Sequence, residues 1–557
     1  MARDHRKKRQ VSRRAFLGGL RWAPLLFLPA PLHSAAFRSW APRLSGEQGA
    51  ALPFADFRLT PHYPARSPLE DVLRYVDPGS DEYITEKYAA EIARRLEEWG
   101  QELRSGTSAS SVLAQFLDAS LQAASLVPGQ EKKLRSGDGV EVFQRTFSDQ
   151  AALGREQFLQ EMQKYLAPLG RLRTAELQIC GIEQISDAPL NVRIDIRYDL
   201  LGQHGDTGLE ERIGYWLTEW TYDDAGGWRA FRWTATEETL SRAPLPIFLD
   251  VTQQALGQTE SYRNQMLHGM DYWRTVLDGA TGMDVYGNTG LAAGDFDNDG
   301  RDDLYICQPP GLPNRLYRNR GDGTFEDVTE AAGVGVLDRT ASALFADFEN
   351  RGLQDLLVVC ATGPLLFVNQ GNGKFKHKRD AFRFVNAPEG AFTHAAAADY
   401  DRDGRLDIYF CLYNYYLGLD QYHYPVPYFD ARNGPPNFLF HNEGNGVFQD
   451  RTAAAGMNVD NDRYSFACCW GDYNADGWPD LYVANDFGRN NLYRNNGDGT
   501  FATVSGEAHV EEAGAGMSAC WLDFDNDGKQ DIYAAGMWVA ACMRVFGQAP
   551  FHGKEPE

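Results

Sequence analysis

The sequence predicts a multi-domain chain in which an α+β domain is followed by an all-β domain built from repeats. Two patterns support this prediction. In the first half of the chain, apolar residues recur at spacings of three and four and then at every second position. In the second half, an aspartate-rich turn occurs five times. The length of 557 residues also exceeds the usual length of a domain with a single hydrophobic core.

The net charge narrows the classes of partner. At a formal charge of -23, the chain lacks the cationic footprint that nucleic acid or an anionic membrane surface requires. With 43% apolar and 12% aromatic residues, its composition is typical of a folded globular protein. We therefore expect metal cations, and no nucleic acid, among its ligands.

The first residues, 1–36, resemble a twin-arginine export signal. A basic start is followed by Arg13 and Arg14, a short apolar stretch, and the small residues Ser34, Ala35 and Ala36. The apolar stretch is too short and too broken by proline to span a membrane, and no other stretch of the sequence is long enough. We expect export to the periplasm or the extracellular space, with a basic, disordered tail as the alternative interpretation.

Residues 37–80 are rich in Pro and Arg and predict an extended lead-in, and residues 81–245 predict the α+β domain. Three helices are expected there because apolar residues form stripes at helical spacing. The stripes are Ile84, Tyr88, Ile92, Leu96, Trp99 and Leu103; Val112, Leu113, Phe116, Leu117 and Leu121; and Phe158, Leu159, Met162, Tyr165 and Leu166.

Strands follow the helices in this domain. Apolar and polar residues alternate from Val192 to Leu200, and aromatic segments follow near 211–222 and 228–236, which predicts a curved antiparallel sheet. This element order resembles the nuclear-transport-factor-like cone fold. Such cones often hold a pocket. Four tryptophans either line a pocket here or belong to the plain core: Trp216, Trp220, Trp228 and Trp233.

The chain from 246 to 557 is periodic. The aspartate-rich turns span 295–303, 347–355, 399–407, 472–480 and 523–531, and we number them turn 1 to turn 5. Their starts are separated by 52, 52, 73 and 51 residues, and the longest interval contains an insertion at about 412–436. A hairpin phrase also repeats, as in "NRLYRNRGDGTF" and "NNLYRNNGDGTF". A period near 52 residues with several short strands predicts a β-propeller.

The turns carry a calcium-binding pattern. In "DFDNDGRDD", carboxylates at positions 1, 3 and 5 lie on alternate residues, and Gly300 at position 6 permits a sharp turn that aims them at one point. A main-chain carbonyl at position 7 and a carboxylate at position 9 complete the expected oxygen ligands. An EF-hand would place Glu at position 12, where this chain has Ile306. Merely solvated hydrophilic turns are the alternative.

Four turns are therefore predicted to hold Ca²⁺, and no catalytic residue is predicted. In turn 2, Arg351 stands where the third carboxylate is expected, and its guanidinium would replace the metal as an internal counter-charge. The predicted ligands are Asp295, Asp297, Asp299, Arg301 and Asp303; Asp399, Asp401, Asp403, Arg405 and Asp407; Asp472, Asn474, Asp476, Trp478 and Asp480; and Asp523, Asp525, Asp527, Lys529 and Asp531.

These repeats are similar to FG-GAP/VCBS repeats, as in integrin α-subunit propellers. The second half of the chain also resembles bacterial members of the cartilage acidic protein family with its ASPIC/UnbV association. The resemblance is carried by "GLAAGDFDNDGRDDLYIC", "CCWGDYNADGWPDLYVANDFGRNNLYRNNGDGTF" and "GMSACWLDFDNDGKQDIYAAGMW". It covers about half of the chain. It implies an exported, calcium-containing propeller and no reaction common to the family.

The repeats fall short of the family's usual number. Seven blades would need about 364 residues at this period, whereas 246–557 supplies 312. We therefore expect an incomplete propeller in a truncated chain, whose open arc leaves blade edges unpaired. In the alternative, "PIFLDVT" at 246–252 begins a partial blade, and the other domain or a second copy covers the gap.

The expected function is that of a binding or scaffold module for an extracellular glycan or protein. The insertion carries the candidate ligand-binding residues Tyr415, Tyr416, Tyr422, Tyr424 and Tyr428, because aromatic platforms suit sugar faces and protein partners. A loop packed over a neighbouring blade is the alternative. The sequence does not predict an oligomeric state.

Catalytic motifs are missing from the sequence, which has no G-x-S-x-G, no HExxH and no phosphate-binding loop. A calcium-dependent polysaccharide lyase or phosphatase remains the alternative function. The eight cysteines include no CxxC pair. Cys307, Cys411, Cys469 and Cys520 recur near the turns, so we expect small buried side chains there in preference to disulfides.

Overall fold

The computed structural model describes residues 84–537, except 107–110, 138, 206, 224–225, 246–247, 278–289, 416–424, 427–429 and 513. The predicted signal at 1–36 and lead-in at 37–80 lie outside this range. The described residues form two compact units, one that runs to Leu249 and one that begins at Asp250. None of the helices in these ranges is both long and apolar enough to cross a membrane.

The first unit is a long curved sheet with three helices. The helices are Ile84–Ser105 (α1), Ser111–Phe116 (α2) and Arg155–Leu166 (α3). The strands are Leu117–Ala124 (β1), Gln130–Gly137 (β2), Val140–Thr146 (β3), Ala151–Leu153 (β4), Leu172–Asp187 (β5), Leu190–His204 (β6), Gly208–Asp223 (β7) and Gly227–Ala243 (β8). The sheet order is β2-β3-β8-β7-β6-β5, and β1 joins β8 to β4.

One aromatic core holds this unit together. The apolar stripe of α1 is buried from Ile92 to Leu103, and the ring of Trp99 stacks on Trp216 at 5.8 Å between centroids. Alternate residues of β6 are fully buried, as their period of two predicts. The four tryptophans of the predicted pocket are at most 2% exposed, so they are core residues. The three-helix and strand prediction is thus largely correct.

The predicted second helix is too long. It ends at Phe116, and Leu117–Ala124 is a strand that pairs in parallel with β8, where Leu117 lies opposite Ala230. Apolar residues at 117 and 121 fit a helix or a strand, and pairing with a buried sheet decided between them. Strand β2 was not predicted because all of its residues are exposed and show no alternation.

The second unit contains five consecutive sheets, which are antiparallel except for one short parallel pair in the third. Its helices are Thr252–Leu256 (α4), Glu260–Asn264 (α5), Gly269–Val276 (α6) and Thr329–Ala332 (α7). The first two sheets contain Leu291–Gly294 (β9), Asp303–Ile306 (β10), Arg315–Asn319 (β11) and Phe325–Asp327 (β12); and Thr340–Ala346 (β13), Asp355–Cys360 (β14), Gly363–Asn369 (β15) and Phe375–Lys378 (β16).

The other three sheets follow the same meander. They contain Phe382–Arg383 (β17), Gly390–Ala398 (β18), Asp407–Tyr415 (β19), Phe438–Asn442 (β20) and Phe448–Asp450 (β21); Ser465–Gly471 (β22), Asp480–Asn485 (β23), Asn491–Asn495 (β24) and Phe501–Thr503 (β25); and Gly516–Leu522 (β26) and Asp531–Gly536 (β27). In the third sheet, the short strand β17 pairs in parallel with β21.

Neighbouring sheets share hydrophobic cores. Val358 of β14 faces the first sheet, whereas Leu357 and Val359 of the same strand face the third. The third sheet shares a core with the fourth around Leu481, and the fourth with the fifth around Tyr482. Strand β14 is therefore buried on both faces, and the sheets are stacked in a row like propeller blades.

The two ends of the row differ. Helices α4 and α5 cover the outer face of the first sheet, where Leu256 and Tyr262 pack beside Tyr317. The alternative of a partial blade beginning at 246–252 finds no strand among the described residues 248–252, and Thr252 begins a helix. The fifth sheet has two described strands, and its Tyr533 is 62% exposed. Among the described residues, the five sheets form no closed ring.

Candidate functional site: the aspartate-rich turns

Each aspartate-rich turn joins the first two long strands of a sheet. In turn 1, the carboxylate of Asp295 accepts hydrogen bonds from the backbone N–H groups of Asp299 (3.0 Å) and Gly300 (2.8 Å). The first aspartates of turns 2 to 5 make the same pair of contacts. One local geometry is thus repeated five times.

This geometry needs left-handed backbone at positions 4 and 6. Position 6 is glycine in every turn, with φ of +84° at Gly300. Position 4 is left-handed although it carries a side chain, with φ of +58° at Asn298 and at Arg402. Such backbone costs free energy for a residue with a Cβ, and asparagine tolerates it best. The turn therefore curls tightly and brings its alternate carboxylates to one side.

Three of the four predicted cation sites bring three carboxylates together. Their oxygen atoms lie within 4.8 Å of one another. The groups are Asp295, Asp297 and Asp299 in turn 1; Asp399, Asp401 and Asp407 in turn 3; and Asp523, Asp525 and Asp531 in turn 5. Turn 4, with Asn474 at position 3, forms no such group of three in the described part of the chain.

The carboxylates of turn 1 fit a divalent cation. The Oδ1 atom of Asp297 is buried and has no hydrogen-bond partner. Burial raises the pKa of Asp297, and the neighbouring carboxylates of Asp299 and Asp295 raise it further, while the guanidinium of Arg318 and a backbone hydrogen bond from Asp299 oppose the rise. A buried, unpaired oxygen beside like charges is costly, and a bound cation would remove that cost. Hard oxygen ligands of this kind suit Ca²⁺.

The position-9 aspartates anchor the turn to the sheet. Asp303 is fully buried, and its two oxygens accept the backbone N–H groups of Phe296 (3.2 Å) and Asn319 (2.7 Å). Asp407 and Asp480 make the equivalent contacts. Burial raises the pKa of Asp303 and Asp480 to about 6 and that of Asp407 to about 7. These residues, predicted as metal ligands, therefore also have a structural role.

The side chains at position 7 cover the carboxylate at position 5. Arg301 contacts Asp299 in turn 1, and Lys529 contacts Asp527 at 3.1 Å in turn 5. The sequence predicts that position 7 contributes its main-chain carbonyl to the calcium site and assigns no role to its side chain. In turn 4, Trp478 instead lies under the guanidinium of Arg402, 4.2 Å from its ring centroid.

Turn 2 is neutralised by its own arginine. The guanidinium of Arg351 lies 2.7 Å from Glu349 and 2.7 Å from Asp355. It therefore provides the internal counter-charge that the sequence suggests. Burial raises the pKa of Asp355 to about 6, and the guanidinium opposes that rise. The guanidinium thus pairs with two of the three carboxylates of this turn, and Asp355 Oδ2 is buried without a hydrogen-bond partner.

A buried asparagine, which sequence reasoning missed, links turns 2, 3 and 4 each to the turn before it. The Nδ2 of Asn442 donates to the carbonyl of Phe348 (2.8 Å) in turn 2 and to that of Leu406 (3.1 Å) in its own turn. Asn369 and Asn495 make the same bridges. The sequence signal is the Asn that precedes each Gly-containing hairpin, as in "YRNRGDG" and "YRNNGDG".

A second set of contacts runs directly from turn to turn. The side chain of Asn298 in turn 1 donates to the carbonyl of Gly352 in turn 2 (2.7 Å), and Asn350 donates to Gly404 in turn 3 (2.6 Å). Turn 3 reaches turn 4 through Arg402, and the backbone N–H of Asp472 in turn 4 donates to Gln530 in turn 5. The five turns therefore form one continuous row.

Two other groups of predicted residues have different outcomes. Cys307 and Cys411 are buried free thiols, as expected, but Cys469 is only partly buried and Cys520 is exposed. Of the candidate ligand-binding tyrosines, the backbone of Tyr415 ends β19, and its side chain is not described. The other four lie outside the described residues.

Comparison with known families supports the repeat interpretation. Residues 295–358, 347–410 and 472–534 match the FG-GAP-like repeat family. Each match begins at the first aspartate of a turn and extends into the next strands. The chain therefore contains FG-GAP-like repeats, which confirms the resemblance predicted from the turns.

Three curated relatives are the cartilage acidic protein 1 of three vertebrates. Cartilage acidic protein 1 of Xenopus tropicalis is 33% identical over 133 residues, which cover 23% of this chain and 20% of that protein. The human protein is 28% identical over 164 residues (29% and 24% covered), and the mouse protein 25% over 269 residues (45% and 39%). The chain resembles cartilage acidic protein, and the matches span less than half the length of these relatives.

Solved structures give weaker likenesses. A lectin from Agrocybe aegerita, described as recognising non-reducing terminal N-acetylglucosamine, is 14% identical, with 66% of this chain and 87% of that chain covered and a TM-score of 0.28. A scytalone dehydratase-like protein from Novosphingobium aromaticivorans is 14% identical, with 30% and 95% covered and a TM-score of 0.20. TM-scores this low carry no argument about fold or function.

Proposed function

We propose that this chain is an exported calcium-binding protein whose FG-GAP-like repeats form a propeller-type scaffold for an extracellular glycan or protein ligand. The observation that carries the calcium proposal is the buried, unpartnered Oδ1 of Asp297 within a cluster of three carboxylates. In the same row, turn 2 carries an arginine between its carboxylates. Calcium would neutralise turns 1, 3, 4 and 5 as Arg351 neutralises turn 2.

The role of such calcium is structural. The turns are linked to one another through Asn298, Asn350 and Arg402, so each bound ion would stiffen a contact between neighbouring sheets. Ions held in separate turns do not share one substrate, which favours scaffolding over catalysis. The resemblance of residues 1–36 to a twin-arginine signal supports export. The tyrosine-rich insertion at 412–436 is the proposed ligand-binding segment. For the first unit, a nuclear-transport-factor-like cone fold is proposed from the order of its helices and strands.

Thermal melting of the full chain tests the calcium proposal. We expect a clearly higher midpoint in millimolar Ca²⁺ than in excess EDTA, because a ligand at a hundred times its dissociation constant adds about 2.7 kcal/mol per native-state site. Mg²⁺ at the same concentration should shift it much less, because Mg²⁺ requires a smaller, stricter octahedral site.

Matched variants locate the effect. Asp297→Asn should reduce the calcium-dependent shift, because it removes one charge from the ligand cluster of turn 1. Asp322→Asn removes the same charge from an exposed hairpin whose carboxylate bonds to Thr324, and should leave the shift unchanged. Equal midpoints with calcium and with EDTA would contradict the proposed function.

Ligand binding is tested separately. A glycan array probed with the wild-type chain should show calcium-dependent binding that is lost when Tyr422 and Tyr424 are both replaced by Ser. Retained binding in that double variant would exclude the insertion as the ligand platform.

A further inference from the structure

A histidine faces the carboxylates of turn 3. His441 lies on β20, and its Nε2 is 3.1 Å from Asp401 Oδ2 and 3.3 Å from Asp403 Oδ2. These three ligand atoms lie within 4.8 Å of one another. The side chain of His441 is 14% exposed, and its ring packs edge-on against Tyr400. The imidazole is therefore held in place at the edge of the turn.

The equivalent position differs in the other sheets. His441 directly precedes the buried Asn442, and the residues that precede the matching asparagines are Arg318, Val368 and Arg494. A guanidinium or an aliphatic chain cannot donate a lone pair to a metal. Among these four equivalent positions, only the one beside turn 3 carries a side chain that can provide a nitrogen ligand.

Both ring nitrogens of His441 face carboxylates. While Nε2 faces Asp401 and Asp403, Nδ1 lies 3.3 Å from Glu443 Oε1, which also accepts a hydrogen bond from Arg451 (2.9 Å). A neutral imidazole has one N–H and can donate to one side only. If Nδ1 donates to Glu443, the lone pair of Nε2 points at two carboxylates, and a cation between them resolves the repulsion. An imidazole whose second nitrogen donates to a carboxylate is the usual arrangement of a metal-bound histidine.

The separations suit a small transition-metal ion. With bonds of about 2.1 Å in a tetrahedral site, ligand atoms lie roughly 3.4 Å apart, close to the spacing of His441 Nε2 from the two oxygens. Imidazole with carboxylates suits Zn²⁺, Co²⁺ or Mn²⁺, whereas Ca²⁺ prefers oxygen ligands alone. Arg405 contacts the same Oδ2 of Asp403, so this oxygen would be shared between the guanidinium and the ion.

We propose that Asp401, Asp403 and His441 form a transition-metal site, so that turn 3 differs from turns 1, 4 and 5 in metal selectivity. The inference deepens the proposed function and rests on it for the capacity of the turns to hold a cation. It assigns to His441 the role of a metal ligand that the aspartate pattern alone does not include.

Cobalt binding tests this site. The untagged full chain, already saturated with Ca²⁺, is titrated with Co²⁺ while visible d–d absorption is recorded, and bound cobalt is counted by elemental analysis after gel filtration. We expect about one His441-dependent cobalt ion per chain, because His441 is the one histidine that groups with turn carboxylates among the described residues. The variant His441→Arg, which has the residue found in the first and fourth sheets, should lose that ion and its absorption.

Two further variants make the result specific. His377→Gln removes a histidine that stacks on Phe367 away from the turns and should keep the cobalt ion. Arg318→His places an imidazole at the position equivalent to His441 in the first sheet, where the present side chain interacts electrostatically with Asp297, and should add a second cobalt ion to the wild-type complement. This gain is measurable even if His441→Arg does not fold.

The outcomes separate this inference from the proposed function. Calcium-dependent melting without His441-dependent cobalt would overturn the transition-metal site and leave the calcium scaffold intact. His441-dependent cobalt without calcium-dependent melting would support the site and overturn the calcium scaffold. Equal cobalt binding by wild type and His441→Arg would also overturn the site, since His441 would then not be a ligand.

Discussion

At the level of single residues, a charged side chain takes the place of a cation in one turn. Arg351 lies between Glu349 and Asp355, and the other four turns have an aspartate at the position of Arg351. The same backbone geometry holds in turn 2 as in the others, so the turn itself does not depend on a metal. The charge at position 5 therefore decides how the remaining carboxylates are balanced.

Arg351→Asp should convert turn 2 into a fifth cation site. In EDTA the variant should be less stable by about 2–3 kcal/mol, because the buried Asp355 loses its partner and a like charge is added. In Ca²⁺ it should bind one more ion per chain than the wild type, as measured by equilibrium dialysis. Arg379→Asp makes the same charge change at an exposed position and serves as the control. Equal calcium counts in the two variants would contradict this prediction.

A second residue predicts a pH dependence of stability. Asp486 is 4% exposed, and its carboxylate accepts a hydrogen bond from the hydroxyl of Tyr413. Burial raises the pKa of Asp486 to about 6, and the tyrosine partly opposes the rise. The folded state thus holds the proton more tightly than the unfolded chain, with its pKa of about 3.9. This contribution to stability is full below pH 4 and is lost as the pH rises to about 6.

Asp486→Asn should therefore stabilise the chain at pH 7.5 by up to about 3 kcal/mol and have little effect at pH 4, because one pKa unit corresponds to about 1.4 kcal/mol. Urea denaturation of both proteins at four pH values between 4 and 7.5 measures the difference. Asp302→Asn, at an exposed position, should show no such trend. A constant difference across this range would mean that Asp486 is not destabilised by its burial.

At the level of the elements, the repeated asparagine joins neighbouring sheets by hydrogen bonds. Asn495 is 2% exposed, and its Nδ2 donates to the carbonyls of Tyr400 (2.8 Å) and Pro479 (3.2 Å). Its Oδ1 accepts the N–H of Gly497. One side chain thus satisfies three backbone groups from the third and fourth sheets, and its loss leaves buried carbonyls unpaired.

Asn495→Ala should lower the free energy of unfolding by about 2–3 kcal/mol, because it leaves buried polar groups without partners. The adjacent Asn496 is exposed and bonds only to Thr500 within its own hairpin. Asn496→Ala is thus a closely matched control and should cost less than about 1 kcal/mol. Denaturation with urea in the presence of Ca²⁺ compares the two. Similar losses would show that the bridge between sheets contributes little.

At the level of the whole molecule, the acidic turns are confined to the second unit. The first unit has a single aromatic core around Trp99 and none of the five turns. Removal of Ca²⁺ should therefore raise amide hydrogen exchange in the second unit, most of all in the strands that begin at Asp303, Asp407 and Asp480. Exchange in β5 to β8 should stay unchanged, because no proposed ion contacts them.

Hydrogen exchange followed by mass spectrometry, in EDTA and in Ca²⁺, measures this pattern peptide by peptide. Peptides of α1 serve as an internal reference within the same sample. A uniform rise across both units would contradict the prediction, since it would mean that calcium stabilises the chain without preference for the repeats.

Much of the candidate site was predictable because its signal is local. Alternating aspartates, a glycine at position 6 and a period near 52 residues are all properties of short stretches of chain, and the turn geometry at Asp295 and Gly300 follows from them. His441 could not be found in this way. It lies 38 residues after Asp403, and only the pairing of β19 with β20 brings the two together.

The sequence alone determined the repeats, the acidic turns, the internal arginine of turn 2 and the helices α1 and α3, because periodicity and local turn chemistry specify them. Only the tertiary structure decided that Leu117–Ala124 is a strand, that α4 and α5 cover the outer face of the first sheet, and that Asp303 is a buried anchor. These features depend on which segments meet in space. Contacts between residues far apart in the chain leave no period in the sequence.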